Sequence, residues 1–341
     1  MRRITFFVGN GFDINIGLLT KYKQFYEYYI TQYPEDMLAK DIDSNYEYWA
    51  DMEEGIGKYT SKIDNENEES FWNSEELLEQ ALADYLEIQT RNVSIDVKKS
   101  ADILKNSLVK FYEDLPKEQR QDISNLIHNI KDTVTYSFIS LNYTNMLDLC
   151  VDAGKTVFPK EISSHKADNG TTYSHNIGEV LHIHGTINEE LILGVNDESQ
   201  ILNETFGKNI FYRQLLVKEE VNKRFGQNKV QDARRIIDGS AIICIFGASI
   251  GATDKMWWKY ICQWLQKSLN NRLIIYAKYD KPQLRTTKHI LFAGENKIFQ
   301  RLKENSELNN EEWNKIQNQI YIKFESKIFG FEVLRDEEEF S

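Results

Sequence analysis

The sequence predicts an α/β fold in which a mostly parallel sheet carries a large, mostly helical insertion after its first strand. Three observations predict it. Short runs of β-branched and aromatic residues recur along the chain and are apolar almost throughout, as parallel strands buried on both faces are. The first run is followed by a long stretch whose apolar residues recur with helical spacing. Glycine-rich or polar segments sit directly after four of the runs, at the carboxyl ends where open α/β sheets bind ligands.

Residues 4–8, Ile-Thr-Phe-Phe-Val, read as a buried first strand cut short by Gly9-Asn10-Gly11. From Thr20 to Lys131 the spacing turns helical, with Tyr22, Phe25 and Tyr26 and later Leu78, Ala81, Leu82, Tyr85 and Leu86 as apolar stripes. The acidic run 64–69 inside it reads as a solvated loop. Strands are expected again at 134–141, 180–184, 191–193, 241–246, 273–277 and 320–324. Between them, 160–178 reads as a polar loop and 198–238 as helix, and both are expected to wall a pocket. Residues 336–339 form an acidic, frayed end. The expected organisation is an α/β core of residues 1–19 and 132–341, with 20–131 inserted.

Composition narrows the function classes. A net charge of -12 and a pI near 5.2 argue against a broad phosphate-tracking surface, so nucleic acid is not an expected partner. Cys150, Cys244 and Cys262 form no C-x-x-C pair, which suggests neither a disulfide framework nor a cysteine zinc site and fits a reducing compartment. The first apolar run is too brief for a signal-peptide core, and no run approaches membrane-spanning length, so a cytoplasmic protein is expected.

Four segments can carry chemistry. In Gly9-Asn10-Gly11-Phe12-Asp13, glycines let amides approach a phosphate at a helix N-terminus, although a plain strand-to-helix turn needs glycine too. In Ser140-Leu141-Asn142-Tyr143-Thr144-Asn145, the Asn142 carboxamide suits ribose hydroxyls or a water, or else caps the helix that follows. In His182-Ile183-His184-Gly185, a strand-end imidazole is a candidate general base. A metal is not expected there, for want of a third ligand, and His182 reads as a core histidine bonded to backbone. In Gly247-Ala248-Ser249-Ile250-Gly251-Ala252-Thr253-Asp254, Gly247 and Ser249 let a ribose or phosphate approach, or the segment is a turn with Ser249 or Thr253 as cap. Trp257, Trp258 and Trp264 read as packing residues.

Taken in order, these segments resemble the AbiH family of phage abortive-infection proteins and, more broadly, the sirtuin-like fold. The resemblance rests on Val8-Gly9-Asn10-Gly11-Phe12-Asp13 with Gly17 to Tyr22 and Phe25, on Leu141-Asn142-Tyr143-Thr144-Asn145, on His182-Ile183-His184-Gly185, on Ile192-Leu193-Gly194, and on Gly247-Ala248-Ser249-Ile250-Gly251 with Asp254. It implies a Rossmann-like, sirtuin-like core that binds NAD as substrate or ligand. By position it implies catalytic roles for Asn142 and His184 and cofactor-binding roles for Gly9, Asn10, Gly11, Phe12, Asp13, Thr144, Gly247, Ser249 and Asp254. Thr144 stands where sirtuins carry aspartate, and the zinc-binding cysteines of the deacetylases are absent, which points away from deacetylation. Ile16 and Leu19 replace the histidine and proline usual in the AbiH start. The implied function is antiphage defence by cleavage of the nicotinamide–ribose bond, with Asp13 facing developing positive charge or capping a helix. The alternative is a non-catalytic sensor of an ADP-ribose-like nucleotide. A phage-derived trigger or a second copy of the chain are the macromolecular partners this implies.

Overall fold

The computed structural model describes residues 2–189, 191–226, 228–279 and 288–335; the acidic end at 336–339 lies outside them. Its strands are β1 (Arg2–Val8), β2 (Val93–Ile95), β3 (Val134–Ser140), β4 (Ser163–Lys166), β5 (Thr172–His182), β6 (Ser240–Phe246), β7 (Arg272–Ala277), β8 (Ile320–Phe324) and β9 (Val333–Arg335). Seven of them form one sheet in the order β4-β5-β3-β1-β6-β7-β8, parallel at every pairing except β4 with β5. A short antiparallel pair, β2 with β9, stands apart.

The three central strands are where the apolar runs are least interrupted, and the reason is burial on both faces. β3 and β6 are buried along their whole length, and β1 from Ile4 onward. Alternation sends Ile4, Phe6 and Val8 into one core with Tyr136, Phe138 and Cys244, while Phe7 joins Ile139, Ile243, Trp257 and Trp258 on the other side. Phe6 stacks on Phe138 with ring centroids 5.9 Å apart and meets Phe329 edge-on at 5.3 Å. Trp257, Trp258 and Trp264 are buried packing residues.

The stretch 20–131 is mostly helical, and its packing divides. Leu104, Leu108, Ile123 and Ile127, from the helices Val97–Val109 and Lys117–His128, join the sheet's first core. The earlier helices, including Tyr22–Gln32, Met52–Tyr59 and Glu68–Thr90, build a third core rich in aromatic rings. That core also takes Leu193, Val195, Leu216 and Val217 from far along the chain.

Two local expectations are overturned. Residues 160–178 are not a loop: β4 and the start of β5 form an antiparallel edge hairpin there, closed by the Ala167 amide donating to Thr171 O at 2.9 Å, with Gly170 at a φ of +82°. Its polar composition reflects a half-exposed edge rather than a missing strand. Residues 191–193 form no strand. The Ile192 amide donates to His184 O at 2.9 Å, Val195 makes a single bridge with Val217, and Gly194 is packed against Leu216 O, so this apolar run is buried in the third core and not in the sheet.

The β4–β5 edge also holds a buried polar chain. Tyr136 Oη donates to His175 Nδ1 at 2.9 Å, His175 Nε2 donates to His165 Nδ1 at 2.8 Å, and His165 Nε2 donates to Ile130 O at 2.7 Å. The Ile130 carbonyl only accepts, which sets the direction of the chain at His165 Nε2. Burial first, then the neighbouring His165, hold His175 down to about 4 from its ordinary 6.5. Between those values the unfolded chain binds more protons than the folded one, so acid favours unfolding. Denaturant unfolding is therefore expected to show stability falling as the pH drops from 6.5 toward 4. The fall should be shallower in His175→Gln; equal slopes in the two proteins would remove His175 as a source.

Candidate functional site

All four segments picked out in the sequence lie at the carboxyl edge of the sheet, at the ends of β1, β3, β5 and β6. They surround one cavity of about 490 Å³, within the range of small-molecule sites. Every residue expected at the site borders it except Phe12, whose side chain is fully buried in the first core against Phe329 and Phe331. The opposite wall comes from the helical stretch, through Thr20, Tyr22, Asp51, Glu53 and Tyr85.

The glycine turns after β1 and β6 touch backbone to backbone. The Gly9 amide donates to Phe246 O at 2.9 Å and the Gly11 amide to Gly247 O at 2.8 Å. A Cβ on Gly11 would lie 2.5 Å from Gly247 Cα, and one on Gly247 only 2.7 Å from Phe12 N. Gly247 also has a φ of +72°, the left-handed region that suits glycine. The amides of Gly9, Gly11 and Phe12 are all bonded within the protein, so these glycines set the floor of the cavity and do not present those N–H groups to a phosphate. Asn10 is likewise occupied: its Nδ2 donates to Thr20 O at 2.6 Å and its Oδ1 accepts from Thr20 Oγ1 at 2.5 Å. The turn after β6 is held in a strained shape, with Ile250 at a φ of +53° while Asn305 and Trp258 donate to Ile250 O and Gly251 O, each at 2.9 Å. Neither Ser249 nor Thr253 caps a helix there; Thr253 Oγ1 donates to Asp51 Oδ2 at 3.2 Å.

Asp13 lies inside the helix Gly11–Asn15 and is not its cap. Its Oδ2 accepts from Thr144 Oγ1 at 2.7 Å, and its Oδ1 is buried without a partner. Burial pushes its carboxyl up to about 6, tempered by Thr144 and by the Asn142 amide, which lies beside it without making a hydrogen bond of regular geometry. Asn142 itself is no cap: the helix Met146–Val157 starts at Asn145 without a side-chain cap. The backbone of Asn142 is fixed by its amide donating to Ser140 Oγ at 3.1 Å and by His182 Nδ1 donating to its carbonyl at 3.0 Å. His182 is held in turn by Asp148 Oδ2 at 2.7 Å, as befits a structural imidazole. The Asn142 carboxamide is left with both Oδ1 and Nδ2 buried and unpartnered at the cavity. Native proteins seldom leave such atoms unsatisfied, so they mark a place for a ligand or water.

β5 ends at His182, and His184 lies in the turn beyond it, ahead of Gly185 with a φ of +75°. His184 Nε2 donates to Asp254 Oδ1 at 2.9 Å, which leaves Nδ1 buried and unpartnered. Burial and then the Lys218 charge hold its pKa below the ordinary histidine value, against the pull of Asp254. Asp254 is kept well below the usual carboxylate range: burial raises it, but Lys218 and His184 overcome that. Burial pushes Glu53 up to about 8 despite Lys218 beside it. A neutral imidazole with one nitrogen oriented by a carboxylate and the other bearing a lone pair is a general base in form.

A second cavity of about 630 Å³ shares Gly11, Gly247, Ala248 and Ser249 with the first and continues over the ends of β6, β7 and β8. None of the unpartnered buried polar atoms among the described residues lies in it; those of Asp13, Asn142 and His184 belong to residues of the first cavity. Among the described residues no group of side chains has the makings of a metal site. None of their helices is long and apolar enough to cross a membrane.

A protein-family model described as bacteriophage abortive infection AbiH matches residues 5–277. The chain belongs to that family. No curated protein matches it.

Glu53, Lys218, Tyr143, Tyr22 and Asp51 border the cavity as well, and sequence reasoning assigned none of them a role. Lys218 and Glu53 each sit in charged stretches, Lys-Glu-Glu and Met-Glu-Glu, that resemble solvent-facing helix starts. Only the tertiary contact between remote segments distinguishes them.

The glycine contact can be tested by stability. Gly247→Ala is expected to cost about 2 kcal/mol or more, combining left-handed backbone strain with the clash at Phe12 N. Gly17→Ala has a φ of +92° but open space around it and is expected to cost only about 1 kcal/mol. Equal losses in denaturant unfolding would mean that backbone conformation alone, and not the contact between turns, matters.

Proposed function

We propose that this AbiH protein takes NAD in the cavity, with a sirtuin-like, Rossmann-type arrangement of core and ligand, and hydrolyses the nicotinamide–ribose bond. The observation that supports it most is the pairing of two unsatisfied polar groups, the Asn142 carboxamide and His184 Nδ1, on one cavity floored by the glycine turns. Asn142 orients a water or the ribose hydroxyls. His184 Nδ1 accepts the proton of that water as its oxygen bonds to the ribose C1′. The electron pair of the broken C–N bond leaves with nicotinamide, whose ring loses its positive charge, so no strong acid is needed. Asp13, with Oδ1 free, offers negative charge where the ribose becomes cationic. Products are nicotinamide, ADP-ribose and a proton. In a defence setting the outcome is loss of host NAD after infection.

A second reading rests on a different observation: nine of the 25 residues lining the cavity belong to the helical stretch, so an ADP-ribose-like ligand would bear directly on helices able to signal to a partner. Purified protein incubated with NAD, with or without lysate of phage-infected cells as trigger, separates the two. Under the hydrolase reading nicotinamide is released, and Asn142→Ala and His184→Ala each lower the rate by about two orders of magnitude or more while NAD binding persists. Intact phage defence in both variants, together with bound but uncleaved nucleotide in the wild type, would instead establish the sensor.

A further inference from the structure

Lys218 opens the helix Lys218–Arg224, and its backbone is pinned: its amide donates to Val195 O at 3.0 Å, next to the bridge between Val195 and Val217. The side chain is buried, and its ammonium has an acceptor for each of its three protons: Glu53 Oε2 at 2.6 Å, Asp254 Oδ1 at 3.2 Å and Thr253 O at 3.3 Å. No donor is left over for a substrate. Lys218 therefore acts on the site through its neighbours.

Those neighbours lead to the candidate base. Tyr143 Oη donates to Glu53 Oε1 at 3.1 Å, Lys218 donates to Glu53 and to Asp254, and His184 Nε2 donates to Asp254. The Asp254 carboxylate, held ionised, can only accept, which assigns the His184 proton to Nε2 and the lone pair to the unpartnered Nδ1. The chain crosses three separate parts of the fold: Glu53 from the helical stretch, Lys218 from the segment before β6, and Asp254 from the turn after it.

We infer that Lys218, anchored by Glu53, is a positioning residue that fixes Asp254 against His184 and keeps the imidazole in the neutral form with Nδ1 free. The inference builds on the reading of His184 as a base. An unpaired Asp254 would draw a second proton onto the ring it faces; the adjacent ammonium opposes that proton by direct repulsion and by satisfying the carboxylate. Among the described residues, the other charged or titratable groups around the ring include Lys229, which pairs with Glu189 at 3.1 Å, Tyr143, whose ring centroid is 6.4 Å away, and Glu219, which lines a small cavity with it; Asp51 and Glu53 act across Lys218.

Histidine-selective NMR on the intact protein tests this without any nucleotide. Ring nitrogen shifts of the wild type are expected to show His184 as the Nε2–H tautomer at neutral pH; an Nδ1–H tautomer would overturn the inference, and this measurement needs no variant. In Lys218→Gln, which keeps an amide donor but removes the charge, the His184 titration midpoint is expected to rise by about one unit or more. The acid limb of the nicotinamide-release profile should move up with it. A folded K218Q protein whose His184 titrates as in the wild type would reduce Lys218 to a stabilising contact and overturn the inference. If the shifts behave as expected but no nicotinamide is ever released, the positioning role stands and the hydrolase reading fails.

Discussion

The close contact between the turns after β1 and β6 is the constraint on which the site depends. Two amide-to-carbonyl bonds, Gly9 to Phe246 and Gly11 to Gly247, join neighbouring strand ends at a separation no side chain tolerates. β1 lies between β3 and β6, so chain leaving it can reach loops on either side. Closing the gap toward β6 fixes one margin of the cavity, and the turn after β3, held by Ser140 and His182, fixes the other. Asp13, one turn beyond the glycines, is then carried to Thr144 and Asn142 from the far side of the β1–β3 pair.

Electrostatics inside the cavity follow from burial. Asp13, Asp51, Glu53 and Asp254 all meet a desolvation penalty, and Lys218 stands among the last three as a buried cation. Asp254, which shares that cation with Glu53 and also receives the histidine proton, is the carboxylate kept most firmly ionised. Burial outweighs the cation at Glu53, and at Asp13 it outweighs Thr144, Asn142 and the His182 charge, so both carboxyls are pushed above their ordinary range. The arrangement resembles a graded set of carboxyl groups, each tuned by how many positive or donating neighbours it holds.

Much of this was legible in the residues. The runs of β1, β3, β6 and β7 announced strands because burial on both faces leaves few charged positions, and β8, at the edge of the sheet, because Ile and Phe alternate along it. The edge hairpin at β4 and β5 escaped notice because half-exposed strands tolerate Ser, His, Lys and Thr, and their polar pattern imitates a loop. At 191–193 the opposite error arose: three apolar residues met a core without meeting a sheet. Cavity-lining residues at strand ends, Asn142 and His184 among them, were visible because topology places strand ends together. Phe12 was grouped with them by adjacency, yet a residue beside a turn can face the core as easily as the cavity. Glu53 and Lys218 carried no local signal, since a buried ion pair between segments so far apart in sequence is written only in their packing.

The third core binds Leu193, Val195, Leu216 and Val217 into the same aromatic layer as Phe25, Trp49 and Phe71. The stretches on either side of the chain's long detour therefore share one fate, and loosening either loosens both. Tyr22, Phe25, Leu82 and Tyr85 of this layer also face the cavity, so its far side is the surface of a packed aromatic core and not a free loop.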